Sequence, residues 1–96
     1  MASGAVRTVH VRIAGRVQGV GYRYWTERVA GEIGLNGWVR NRRDGTVEAL
    51  FSGPPDDIAQ MLERCRNGPS SARVTSIDTS EVATAPAPGF DVLPTA

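Results

Sequence analysis

The chain has 96 residues, 41% hydrophobic and 22% charged, with a formal net charge of +1, which fits one soluble globular domain with a modest core. No apolar run is long enough to cross a bilayer, Met1 to Ala5 lack the charged-then-apolar pattern of a secretory leader, and Ala2 breaks the myristoylation pattern. One cysteine, one histidine and no lysine among the eleven basic residues exclude an intrachain disulfide, a zinc site of the usual kind, and Schiff-base or phosphate-loop lysine chemistry.

Residues 7–14 alternate, with Val9, Val11 and Ile13 on one face and His10 and Arg12 on the other, the pattern of a half-buried strand. Next comes Gly15-Arg16-Val17-Gln18-Gly19-Val20-Gly21-Tyr22-Arg23. A glycine-rich turn between a strand and a helix can aim several backbone N–H groups at one point, where the helix dipole adds partial positive charge. Arg23 falls in the first helical turn, where a guanidinium can fork onto two oxygens of one anion. The chemistry this suggests is capture of a phosphate. Residues 22–33 place Trp25, Val29 and Ile33 at helical spacing with Tyr22 and Thr26 beside them, and Gly34 suits a left-handed stop.

A hairpin is predicted from strands 36–43 and 46–52 around Arg43-Asp44-Gly45, with Val47, Ala49 and Phe51 alternating against Thr46, Glu48 and Leu50. Pro54, Pro55, Asp56 and Asp57 suit the start of a second helix, whose apolar stripe is Ile58, Met61, Leu62 and Cys65 and whose stop is Asn67-Gly68-Pro69. Residues 73–82 read as a longer polar strand, Thr84 to Gly89 as a loop, and Phe90 and Val92 as a short last strand. Residues 1–6 and 94–96 are expected to fray. The order β-α-β-β-α-β, with a short fifth strand, predicts an α+β ferredoxin-like sandwich: an antiparallel sheet with two helices on one face.

A right-handed β-α-β crossover makes the first two strands parallel, so the end of the second strand lies at the same sheet edge as the glycine loop. Asn41, near that end, can hold a water in line with a bound phosphate. Glu27 could pair with Arg23, and Glu48 lies on the return strand; neither is in the glycine loop. Without a general acid the leaving group must be weakly basic, such as a carboxylate. Residues 1–43 carry +6 and residues 44–96 carry −5, a field that favours an anion at the loop unless the halves intermingle on folding.

On these residues the chain resembles the acylphosphatase family. Gly15 to Arg23 is similar to that family's phosphate-binding signature. Gly37-Trp38-Val39-Arg40-Asn41, followed by Gly45, Val47 and Glu48, is similar to its second signature, and Gly68 to Val74 resembles its segment after helix two. The likeness covers roughly residues 7–93, within a chain read as one domain over 1–96. It implies hydrolysis of acyl phosphates to a carboxylate and orthophosphate with no metal and no cofactor. It also implies Arg23 and Asn41 as catalytic residues, and a phosphate cradle from the backbone of Arg16, Val17, Gln18, Gly19, Val20, Gly21 and Tyr22. The basic and aromatic ending of some members is absent after Phe90-Asp91-Val92. A cytoplasmic monomer is expected, with a small-molecule acyl phosphate as its partner and neither nucleic acid nor membrane.

Other residues have plainer readings. Gly15 shapes the turn, whereas Gly19 and Gly21 let an anion approach. Cys65 belongs to the core; a cysteine phosphatase would need an arginine at position 71, which is Ser71. His10 faces solvent, Trp25 is core, and Trp38 is either core or close to the site. Arg40, Arg42 and Arg43 form a solvated face or steer the substrate. Two rival functions remain. One is a non-enzymatic ferredoxin-like binding module for ligands or RNA, whose RNA-recognition version would need paired aromatics on the central strands, where only Phe51 stands. An acylphosphatase-like domain of a carbamoyl-transferring maturation protein would be expected within a longer chain.

Overall fold

The computed structural model describes residues 5–96, so the expected fraying of residues 1–4 lies outside the described residues. The elements are β1 (Arg7–Arg16), α1 (Tyr22–Ile33), β2 (Asn36–Asn41), β3 (Val47–Gly53), α2 (Pro55–Asn67), β4 (Arg73–Glu81) and β5 (Phe90–Val92). The strands form one sheet in the order β4-β1-β3-β2-β5. Strand β3 pairs antiparallel with both β1 and β2, so those two run in the same direction, as the crossover requires. Strand β4 is antiparallel to β1. This is the expected ferredoxin-like arrangement. The sheet becomes mixed at one edge, because residues 82–89 carry the chain across to β2, where β5 pairs in parallel.

Period-two alternation puts Val9, Val11, Ile13, Val39, Val47, Ala49 and Phe51 on one sheet face, all without solvent exposure. Tyr22, Thr26, Val29 and Ala30 of α1 and Ile58, Met61 and Cys65 of α2 cover that face. Burying each large apolar side chain contributes about 1.5–3 kcal/mol, which anchors the helices on the sheet. The Phe90 ring stacks on Phe51 with centroids 5.8 Å apart. Trp25 packs against Tyr22 at the margin of this core. The other sheet face carries His10 and Arg12, Trp38 and Arg40, and Glu48 and Leu50, brought together by cross-strand register.

Three local features differ from the sequence reading. Strand β1 runs two residues further, through a register shift at Ala14/Gly15. A Cβ on Gly15 would meet the Arg73 carbonyl oxygen at 2.1 Å, so this glycine permits close pairing with β4 rather than shaping the turn. Strand β2 stops at Asn41 because the hairpin closes just after it: the Arg42 N–H donates to the Thr46 carbonyl at 2.8 Å. The tail does not fray. Leu93 N–H donates to Val39 O at 2.9 Å, Ala96 N–H to Asn41 O at 3.0 Å, and Arg43 N–H to Ala96 O at 2.8 Å. The tail thus continues the parallel edge along β2 to the residue of interest.

Candidate active site

Helix α1 begins without the usual devices. Its N-cap is Gly21, at φ 80°, with no side-chain cap hydrogen bond and no acid in the first turn. The helical ladder opens with Trp25 N–H donating to Gly21 O. The leading N–H groups and the positive end of the dipole are left for something outside the helix. The first turn instead holds Arg23, whose charge opposes the dipole unless an anion sits between them. Among the described residues no carboxylate comes within 4.0 Å of its guanidinium; the expected pairing with Glu27 is not made.

In front of this helix end lies a cavity of about 120 Å³, lined by Val17, Gln18, Gly19, Gly21, Tyr22, Arg23, Tyr24 and Asn41. Gly19 and Gly21 have φ of 74° and 80°, and apart from their chain neighbours no described residue comes within 4 Å of where a Cβ would sit on either. The left-handed backbone turns this loop without side chains blocking the approach. Val17 and Tyr22 contribute backbone here, since both side chains are buried in the core. The Tyr22 hydroxyl donates to Cys65 O at 2.6 Å, and burial pushes its ionisation far up, with the neighbouring Cys65 thiol adding to the rise. Cys65 is buried as expected, and burial raises its thiol to about 12.

Two residues of the expected cradle stand aside. Arg16 closes β1 opposite Arg73 and is exposed. Val20 turns its side chain against the core. Neither lines the cavity.

Asn41 reaches the cavity from the far side. It continues the row of Gly37 and Val39 on the helix-facing side of β2, one step beyond the buried core. Its backbone is held by Val47 of β3 and by Ala96 of the tail. Its Oδ1 is buried with no partner among the described residues, an acceptor that calls for a donor from a ligand or water. Gln18 connects the two walls. Its amide Nε2 donates to Arg42 O at 2.7 Å and to Thr46 O at 2.9 Å. One side chain of the glycine loop thus grips the hairpin immediately after Asn41.

The arginine cluster lies elsewhere. Strand alternation puts Arg40 on the opposite sheet face from Asn41. Arg40 Nε donates to Glu48 Oε1 at 2.7 Å, and Arg42 Nη1 at 3.3 Å. His10 Nε2 shares the other carboxylate oxygen. Burial alone would raise the Glu48 carboxyl, but Arg40 and then His10 outweigh it and hold the group near 2. Arg40 and Arg42 are therefore paired with Glu48 rather than a free solvated face; Arg43 is exposed. Trp38 is neither core nor site, lying under the Arg40 guanidinium at 4.8 Å and edge-on to His10. His10 is half-buried and bonded rather than simply solvated.

Tyr24 was not legible as a site residue. It lines the cavity mouth with its ring 5.6 Å from the Arg23 guanidinium carbon. Its only sequence signal was an aromatic residue beside Arg23 in the first helical turn.

A family model described as Acylphosphatase matches residues 9–92. An acylphosphatase from Nitrobacter hamburgensis is 60% identical over 78 residues, covering 81% of this chain and 77% of that protein. One from Rhodospirillum rubrum is 54% identical over 89 residues, covering 93% and 98%. The solved structure of an acylphosphatase from Coxiella burnetii superposes with a TM-score of 0.88 at 33% identity, covering 92% of this chain and 93% of that one.

Proposed function

Since the chain belongs to the acylphosphatase family, we propose that the cavity between the glycine loop and Asn41 is where it carries out that family's reaction, with Arg23 and Asn41 as the catalytic residues. The activity itself is hydrolysis of the carboxyl–phosphate bond of a small-molecule acyl phosphate. The observation that carries the assignment is an uncapped helix N-terminus whose arginine pairs with no carboxylate among the described residues, across one small cavity from a buried asparagine oxygen that has no partner among them.

In this reading the phosphoryl oxygens accept hydrogen bonds from backbone N–H groups of the loop from Val17 to Tyr22, which follows directly on Arg16. The Arg23 guanidinium forks onto two of those oxygens and follows the charge that spreads over them in the transition state. Asn41 Oδ1 accepts a hydrogen bond from water and holds it in line with the scissile P–O bond. The water oxygen bonds to phosphorus as the bond to the acyl oxygen breaks, and the water's proton passes to a phosphate oxygen. The leaving carboxylate departs as a stable anion, so no general acid is required. Glu48, the nearest carboxylate in the second signature, is ionised and held by Arg40, Arg42 and His10 on the other sheet face. Among the described residues no group of three or more His, Cys, Asp or Glu could hold a metal ion. No described helix is long and apolar enough to cross a membrane.

The same reading takes the chain as one domain that acts as a cytoplasmic monomer. One continuous sheet supports the first point, and a free buried thiol at Cys65 fits a reducing compartment. The direct test is turnover of benzoyl phosphate by the purified protein in excess chelator. Undiminished hydrolysis is expected. Activity lost on chelation and restored by magnesium would replace this mechanism with a metal-assisted one.

A further inference from the structure

We infer that Tyr24 is a specificity-determining residue that biases this site toward acyl phosphates whose acyl group is aromatic or bulky and apolar; the inference rests on reading the cavity as an acyl-phosphate site. Two tyrosines two positions apart on α1 have opposite fates. Tyr22 is 1% exposed and packed in the core, whereas Tyr24 is 63% exposed at the cavity. A single exposed aromatic on a helix needs no explanation. This one lines the mouth of a site and lies beside the guanidinium proposed to grip the phosphate.

The other walls leave the acyl group few partners. The loop presents backbone donors for the phosphoryl oxygens. Gly19 and Gly21 have no side chains, and the Val17 and Tyr22 side chains are buried. The Gln18 amide is engaged with Arg42 and Thr46. Asn41 enters from the end of β2, and in-line displacement puts the leaving carboxylate opposite the water it holds. Among the lining residues, the large apolar surface left open to solvent is the Tyr24 ring, presented from the first turn of α1. An aryl group leaving the cradle can pack on that ring, whereas an acetyl group is too small to gain from it. Aromatic pairs of this kind correspond to about two- to tenfold in binding.

A purely supporting role, with Tyr24 holding Arg23 through the cation–π contact, predicts a different pattern. It would weaken every substrate, and inorganic phosphate, to the same extent. The test is kcat/KM for benzoyl phosphate and for acetyl phosphate, with inhibition by inorganic phosphate, in the parent, Tyr24→Ala and Tyr24→Phe. Thermal midpoints confirm folding; the exposed position makes both variants tolerable. In Tyr24→Ala the benzoyl-to-acetyl ratio is expected to fall about fivefold, mainly through KM for benzoyl phosphate, and Tyr24→Phe to restore it. An unchanged ratio, including equal losses on both substrates, would overturn the inference. A parent that hydrolyses neither compound would overturn the reading of the site, and this inference with it.

Discussion

The two helices of this protein follow opposite rules at their N-termini. Helix α2 is built for its own stability: Pro55 at the start, Asp56 and Asp57 in the first turn, Arg64 and Arg66 in the last turn. Every one of those charges complements the helix dipole. Helix α1 has a left-handed glycine as its cap, no acid in the first turn and Arg23 in its place. Left empty, that end is locally unfavourable; in the proposed reading a phosphate in front of it turns the same features into the binding apparatus. The arginines repeat the lesson. Arg40 and Arg42 are saturated by Glu48, and Arg23 is left with no carboxylate among the described residues.

The strongest way to break this comparison is to remove the two side chains that face the cavity. If Asn41 positions water rather than substrate, as proposed, Asn41→Ala should reduce turnover below detection while inorganic phosphate binds almost as before. Arg23→Ala should lower turnover by about 10²–10³ or more and weaken phosphate as well, with Arg23→Lys a poor rescue. The contrast with α2 adds a sign. Removing a cation from the positive end of α1 should stabilise the empty protein by about 0.3–1 kcal/mol. Phosphate titration, steady-state kinetics and thermal midpoints on both variants decide the matter. An Arg23→Ala protein that binds phosphate like the parent would sink the assignment.

Glu48→Gln should show the reverse profile, with stability lost by about 2–3 kcal/mol and turnover close to the parent's. The loss lies below that of a fully buried pair because the arginines remain about a third exposed. The pH dependence follows from the depressed carboxyl. Its contribution is fully present above the ordinary value of 4.5 and is lost as pH falls toward about 2. Denaturation midpoints between pH 6 and pH 2 should therefore fall more steeply for the parent than for Glu48→Gln; parallel curves would remove the ion cluster from the account.

Gly19→Ala tests the loop itself. No protein atom opposes the new methyl, so the cost is the left-handed backbone, about 1–2 kcal/mol. Phosphate affinity should fall in a protein that still folds; unchanged affinity would show that Gly19 is outside the cradle. The smallest effect belongs to α2. Asp56→Ala should cost about 0.3–1 kcal/mol of stability and leave turnover as it was, read by the same melting curves and kinetics.

The sequence alone determined whatever depends on local periodicity and local backbone chemistry. Alternation at Val9, Val11 and Ile13 and the 3.6-residue spacing in both helices set the elements and the core face. Three glycines before Arg23 marked a turn between strand and helix where left-handed backbone is needed. These signals are local because a side chain's face is set by its immediate neighbours along the chain. The site also needed contacts across the sheet. Asn41 became a partner of Arg23 only because β3 holds β1 and β2 parallel, and its buried, unsatisfied oxygen exists only once the tail and β3 pin its backbone. Gln18 read as one more backbone position of the loop, yet its side chain spans 24 and 28 positions to clasp the hairpin. Gly15 read as a turn former and proved to be a close approach to β4. Arg40 and Arg42 read as a surface cluster because nothing near them in sequence tells that register places Glu48 between them and His10. Each of these outcomes rests on which strand lies beside which, and in what register. Long-range pairing sets that, and a one-residue slip would turn every side chain to the other face.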